Sequence, residues 1–179
     1  VALPESVEES EPEFLHYADE ELPVVEGDGL RARVLAGEAF GASSPLATAS
    51  PTLYADVSLE PGTSFEVAPT FDERAVFVVD GELTADGCTF ETGQLLVLRR
   101  DAAVRIEAES DVQLMLLGGE PMEGPRYIWW NFVSSRRERI EEAKEDWATG
   151  RFDTVPGDAE EFIPLPDDHG LRLAEQSSE

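Results

Sequence analysis

From Leu22 onward the chain is a succession of short apolar-polar runs separated by Gly, Pro, Asn and Asp. Several alternate with period two, the signature of strands buried on one face. Leu53, Ala55, Val57 and Leu59 fall on one side of one run. Val104, Ile106 and Ala108 fall on one side of another, with Arg105 and Glu107 opposite. Three runs are apolar on both sides: A-V-F-V-V (75–79), Q-L-L-V-L (94–98) and Q-L-M-L-L (113–117). Strands of that kind are expected where a sheet is covered on both faces. Asp80-Gly81 and Asp86-Gly87 are tight-turn signals. The pattern predicts an all-β, antiparallel barrel or jelly roll of about ten strands, running to about Ser134.

One helix is predicted over 135–149. Ser135 and Glu138 have the spacing of a capping box, Ile140, Ala143 and Trp147 mark one face, and Gly150 stops it. Beyond it, prolines forbid further helix, but Phe152, Val155, Phe162, Ile163 and Leu165 predict an extended strap lying back across the barrel. The acidic stretch 1–20, broken by Pro4 and Pro12, reads as an extended arm. The polar stretch 167–179 reads as a disordered tail. The domain expected between them spans 21–166.

Charge narrows the function classes. Thirty-nine acidic residues face 13 basic ones, a formal net charge of −26, and Lys144 is the sole lysine. Phosphate affinity comes mostly from basic contacts, so direct nucleic-acid binding is not expected. Acids spread over the whole chain, with Arg favoured over Lys, point to a halophilic protein whose self-repulsion is screened by salt. No apolar run reaches membrane-span length, and the start Val1-Ala2-Leu3-Pro4 lacks the basic and apolar regions of a signal peptide. The expectation is a cytoplasmic protein with no membrane partner. The start at Val1 rather than Met fits a boundary cut inside a longer protein. Cys88 stands alone, so no internal disulfide can form.

Residues 62–81 carry the one chemically suggestive frame. Their spacing is similar to the first motif of the cupins, G-x5-H-x-H-x3-E-x6-G. In that motif two histidines one residue apart on a strand and a glutamate on the next strand converge on a divalent metal such as Fe(II) or Mn. Counted from Gly62, the histidine positions hold Ala68 and Thr70, the glutamate position holds Arg74, and the closing glycine is Gly81. The fourth ligand position, after Gly93, is Leu96. Ala and Leu have no donor atom, Thr is a weak ligand, and a guanidinium repels cations. No metal site and no catalytic residue is therefore expected in this chain. His16 and His169 lie far apart, in the arm and the tail, and read as surface residues. For Arg74 two readings stand: an ion pair with Glu66, Asp72 or Glu73, or an anion held with Thr70 in the emptied cavity.

Longer strings narrow the resemblance. S-P-T-L-Y-A-D-V-S-L-E-P-G (50–62), R-Y-I-W-W-N-F-V-S-S (126–135), E-R-I-E-E-A-K-E-D-W (138–147), V-P-G-D (155–158) and E-E-F-I-P-L-P (160–166) resemble the C-terminal half of the pirin family. A-L-P (2–4) and E-P-E-F (11–14) resemble its interdomain junction. The aromatic run Tyr127, Ile128, Trp129, Trp130 and Phe132 is expected to pack internally. Pirins are two-barrel cupins whose N-terminal barrel binds iron and whose C-terminal barrel generally does not. The resemblance implies a non-catalytic, metal-free domain partnering an N-terminal cupin, with Fe(II) or another divalent metal in that other half. Regulatory proteins are further expected partners. Two alternatives stand beside it: the supporting half of a quercetin 2,3-dioxygenase-like non-heme iron enzyme, and a small anion-binding module.

Overall fold

The alternating runs become strands whose apolar sides meet. A computed structural model describes residues 2–154, 156–157, 160–166 and 172–174, which fall into two compact units. One unit is Pro12–Pro121; the other joins Val1–Glu11 to Met122–Glu179. Where the sequence predicts an arm over 1–20 and a domain over 21–166, these units meet in the sequence at Glu11–Pro12 and Pro121–Met122. The first eleven residues group with the C-terminal segment, because the arm is tied there by the carboxylate of Glu8 and the carbonyl of Leu3.

The larger unit begins with a short 3-10 turn at Asp19–Glu21 and continues through twelve strands. In order these are β1 (Val24–Gly27), β2 (Leu30–Ala36), β3 (Glu38–Ala39), β4 (Ala42–Ser43), β5 (Thr52–Leu59) and β6 (Ser64–Val67). They continue as β7 (Glu73–Asp80), β8 (Glu82–Ala85), β9 (Cys88–Glu91), β10 (Leu95–Val97), β11 (Val104–Ala108) and β12 (Val112–Gly119). A six-stranded antiparallel sheet has the order β1-β2-β5-β12-β7-β10, and a four-stranded one the order β6-β11-β8-β9. Strands distant in sequence lie side by side, as in a jelly roll. Leu53, Ala55, Val57 and Leu59 of β5 share one core with Leu83 of β8 and Val104, Ile106 and Ala108 of β11. Burying a Val or Leu side chain contributes about 1.5–3 kcal/mol before entropy is counted.

Turn chemistry fixes the register. Asp86 and Gly87 both take positive φ, 50° and 77°, the geometry that joins β8 to β9 with the right twist. Gly81 has φ 89°, and a Cβ there would meet the Asp111 carbonyl oxygen at 2.2 Å, so no other residue fits between β7 and β8. The runs expected to be covered on both faces are buried on only one. Val76, Val78, Leu96, Leu114 and Leu116 are core, whereas Phe77, Leu95 and Val97 are exposed and Met115 and Leu117 half-buried.

The smaller unit holds β13 (Arg126–Trp129), β14 (Phe132–Ser134), helix α1 (Arg137–Ala148) and β15 (Arg172–Ala174), with sheet order β14-β13-β15. The disordered tail expected over 167–179 is thus corrected for Arg172–Ala174, whose backbone pairs with β13. The rest of that stretch, with His169, lies outside the described residues. Ile140 and Ala143 are buried as the helical periodicity requires. Trp147 stacks on Phe162 at 6.1 Å, and its indole N–H donates to the Ile163 carbonyl at 2.8 Å. The strap is therefore fastened to the helix. Trp130 turns the β13–β14 hairpin with φ 52°, unusual for a bulky residue, and its ring packs against Trp129, Phe132 and Trp147 at 5.2–6.3 Å.

Candidate functional site

The four frame positions do not converge. β6 ends at Val67, so Ala68 and Thr70 sit in the loop before β7, where both are exposed. Pro69 between them cannot donate to a ladder, so the period-two logic that would aim both side chains inward stops at Val67. Arg74 and Leu96, by contrast, are buried, at 2% and 4% exposure. Leu96 lies opposite Val76 and belongs to the apolar core. Among the described residues, no group of three or more His, Cys, Asp or Glu side chains is placed to hold a metal ion. Neither the donor set nor the fixed charge of Arg74 fits the cupin metal.

Among the described residues, Arg74 pairs with none of the three expected carboxylates. It alternates inward with Val76 and Val78 on β7, which turns its neighbour Glu73 outward to pair with Arg100 at 3.4 Å. Glu66 and Asp72 are exposed. Inside, the guanidinium meets backbone. One terminal nitrogen, Nη1, donates to the Val67 and Ala68 carbonyls at 3.1 and 2.9 Å. The other, Nη2, donates to the Arg99 carbonyl and, at 2.9 Å, to that of Ala102. All four Nη hydrogens are thereby engaged, and the buried Nε–H alone lacks a partner. The side chain spans the end of β6 with the loop after it and the loop between β10 and β11. Sequence reasoning found Arg74 by its place in the frame, but nothing in the sequence marked carbonyls rather than carboxylates as its partners.

A second polar cluster, in the smaller unit, was not anticipated. The Glu8 carboxylate accepts from the Ser135 hydroxyl at 2.7 Å, the Ser135 backbone N–H at 3.1 Å and the Ser134 hydroxyl at 3.3 Å. Burial works to raise its pKa. Those hydrogen bonds, with the charge of Arg126, outweigh burial and hold it below the usual carboxylate value. The predicted Ser135–Glu138 capping box does not form: the helix starts two residues later, with Arg136 as a cap that makes no side-chain bond. A carboxylate brought from the arm has taken the hydroxyl and N–H that the box would have used. Glu9 pairs with Arg136 and Arg139. Buried Arg126 donates to the Leu3 carbonyl at 3.0 Å and to the Glu123 carbonyl at 2.8 Å. The only sequence signal was an arginine opening an aromatic run.

Residues 54–153 match the family described as the pirin C-terminal cupin domain. This chain belongs to the pirin family. It is 45% identical over 168 residues to a pirin-like protein of Caulobacter vibrioides, covering 93% of this chain and 58% of that one. Against human pirin the identity is 28% over 148 residues, covering 79% of this chain and 51% of that protein. Among solved structures, a quercetin 2,3-dioxygenase from Acinetobacter baumannii superposes with a TM-score of 0.85 at 31% identity. That match covers 98% of this chain and 60% of the other. The pirin domain described here thus spans little more than half the length of its relatives, and its jelly roll is of the cupin type.

Proposed function

We propose that this chain is a non-catalytic, metal-free C-terminal pirin domain that acts as a structural and interaction partner of an N-terminal iron-binding cupin. The observation that carries the reading is Arg74. A permanent cation occupies the position where the cupin frame puts its carboxylate ligand, and backbone carbonyls engage every Nη hydrogen. Such a site stabilises the barrel and repels a divalent metal. In this reading Fe(II) or another divalent metal belongs to the other half of the full-length protein. Partners are that half and regulatory proteins, in the cytoplasm, without nucleic-acid or membrane contact.

The test is metal analysis and turnover on the purified chain. Supplied with Fe(II), Mn, Ni or Cu, it is expected to retain only substoichiometric metal and to leave flavonols unoxidised. Stoichiometric, tightly held metal or sustained flavonol oxidation by this chain alone overturns the reading.

A second reading rests on the likeness to the A. baumannii quercetin 2,3-dioxygenase: the full-length protein is a flavonol dioxygenase of which this is the supporting half. A histidine-rich barrel encoded ahead of Val1 supports it, and a barrel without those histidines counts against it. An anion module built on Thr70 and Arg74 has less support. Thr70 is exposed, and an anion could take only the Nε–H of Arg74 without displacing a carbonyl.

A further inference from the structure

The strap 160–166 ends in I-P-L-P, and its two prolines leave the backbone little freedom. Pro164 and Pro166 fix their own φ, and each pushes the residue before it, Ile163 or Leu165, out of the helical region. Four consecutive residues are thereby restricted to an extended, polyproline-like path, and residues 161–166 belong to no strand. Phe162 and Ile163 are 63% and 65% exposed.

The strap is gripped through Trp147. The indole N–H donates to the carbonyl of Ile163, the residue before Pro164, and the indole ring stacks on Phe162. Around Trp147 stand Trp130, Phe132 and Phe152, with ring centroids 5.2, 6.2 and 5.4 Å from its own. Trp130 and Phe152 keep 38% and 41% of their surface exposed. Trp130 is held there with φ 52°, a strained conformation of the kind that ligand clamps retain. An open aromatic platform that seats an extended segment, with an indole donor on the carbonyl preceding a proline, has the chemistry by which proline-containing peptides are recognised.

We infer that this platform is a recognition site for an extended, proline-containing segment of another protein, with the strap seated on it in cis. Charge selects the flank of that partner. The strap brings Glu160 to a helix with five acidic residues against three basic ones, in a chain of net charge −26. Like charge weakens the cis seat, whereas a segment with basic residues ahead of its aromatic one is drawn to it. The strap of a second copy offers the same side chains but brings a further −26 charges, which oppose association. The tethered strap competes at an effective concentration on the order of millimolar, so a partner segment exchanges with it rather than meeting an empty platform. None of these residues belongs to the Arg74 site, so the platform and the metal-free reading of the barrel stand or fall separately.

The experiment titrates two labelled peptides into the chain, under salt conditions where it is folded, and follows fluorescence anisotropy. One is R-R-F-I-P-L-P, the strap with arginines for Glu160 and Glu161; the other has alanine in place of both prolines. The first is expected to bind about fivefold or more tighter, because its bound conformation is pre-formed. Phe162→Ala changes an exposed position of the chain, loosens the cis strap and is expected to tighten the first peptide by about fivefold or more. Trp147→Phe in that background keeps an aromatic ring, removes the indole donor and is expected to reverse the gain, about fivefold for one hydrogen bond. A shift of the Trp147 indole N–H resonance on peptide addition is a readout independent of the variants. Equal binding of the two peptides, binding that leaves that resonance unmoved, or no binding to the Phe162→Ala chain overturns the site. Self-association that Phe162→Ala abolishes assigns the platform to the strap of a second copy and overturns the inference as well.

Discussion

Arg74 joins the end of β6 and the loop after it to the loop between β10 and β11. Its bonds to the Val67, Ala68, Arg99 and Ala102 carbonyls are charge-assisted, the first buried and the other three partly buried, so leaving these acceptors unmatched is costly. Arg74→Met keeps the volume but strands four acceptors. It is expected to cost about 3 kcal/mol. For a chain of this length that is a fall of about 10 °C in the thermal unfolding midpoint. Arg74→Lys keeps the charge but not the planar fork, so an intermediate loss is expected. Equal stability of all three proteins in a calorimetric melt would remove Arg74 from the structural account. The position was legible in the sequence because Gly62 and Gly81 frame it and each holds a positive φ. Its partners were not legible, since a backbone carbonyl leaves no trace in residue identity.

At the scale of elements, the arm and the helix α1 form one device. Glu8 holds Ser134 and Ser135, the two residues ahead of the N-cap Arg136, and titration tests that hold. Its folded pKa lies below the unfolded one, so its contribution is fully present above the unfolded value, about 4.3. That contribution is lost as pH falls through the folded value. Glu8→Gln is expected to lower stability at neutral pH by about 1 kcal/mol, the net worth of a typical hydrogen bond, and to close the gap to wild type in acid. Urea titrations at neutral and acidic pH check this, and a gap that persists unchanged in acid would count against it. The core strands were read correctly because alternation is local: β5 and β11 bury the residues their period picks out. The helix starts two residues later than its periodicity predicts because a carboxylate 127 positions away holds Ser135 outside it. The doubly apolar runs predict cover on both sides, and in the structure only one side is core.

For the whole molecule, charge sets the working conditions. An excess of 26 negative charges favours expansion at low ionic strength, and salt shortens the range of that repulsion to about 3 Å at molar concentration. On the halophile reading, the unfolding midpoint is expected to rise steadily from dilute buffer to molar KCl. A midpoint indifferent to salt would mean that the acids lie far enough apart to be neutral in stability. No helix among the described residues is long and apolar enough to cross a membrane. The guanidinium inside the barrel gives this domain a different relation to its chemical surroundings from that of a metal-filled cupin. A metal ion that ties loops together can be chelated, exchanged or oxidised, and the loops then loosen with it. An arginine cannot be stripped by a chelator and has no second redox state. The mouth of this barrel is therefore held by a tie that neither iron starvation nor oxidant exposure removes.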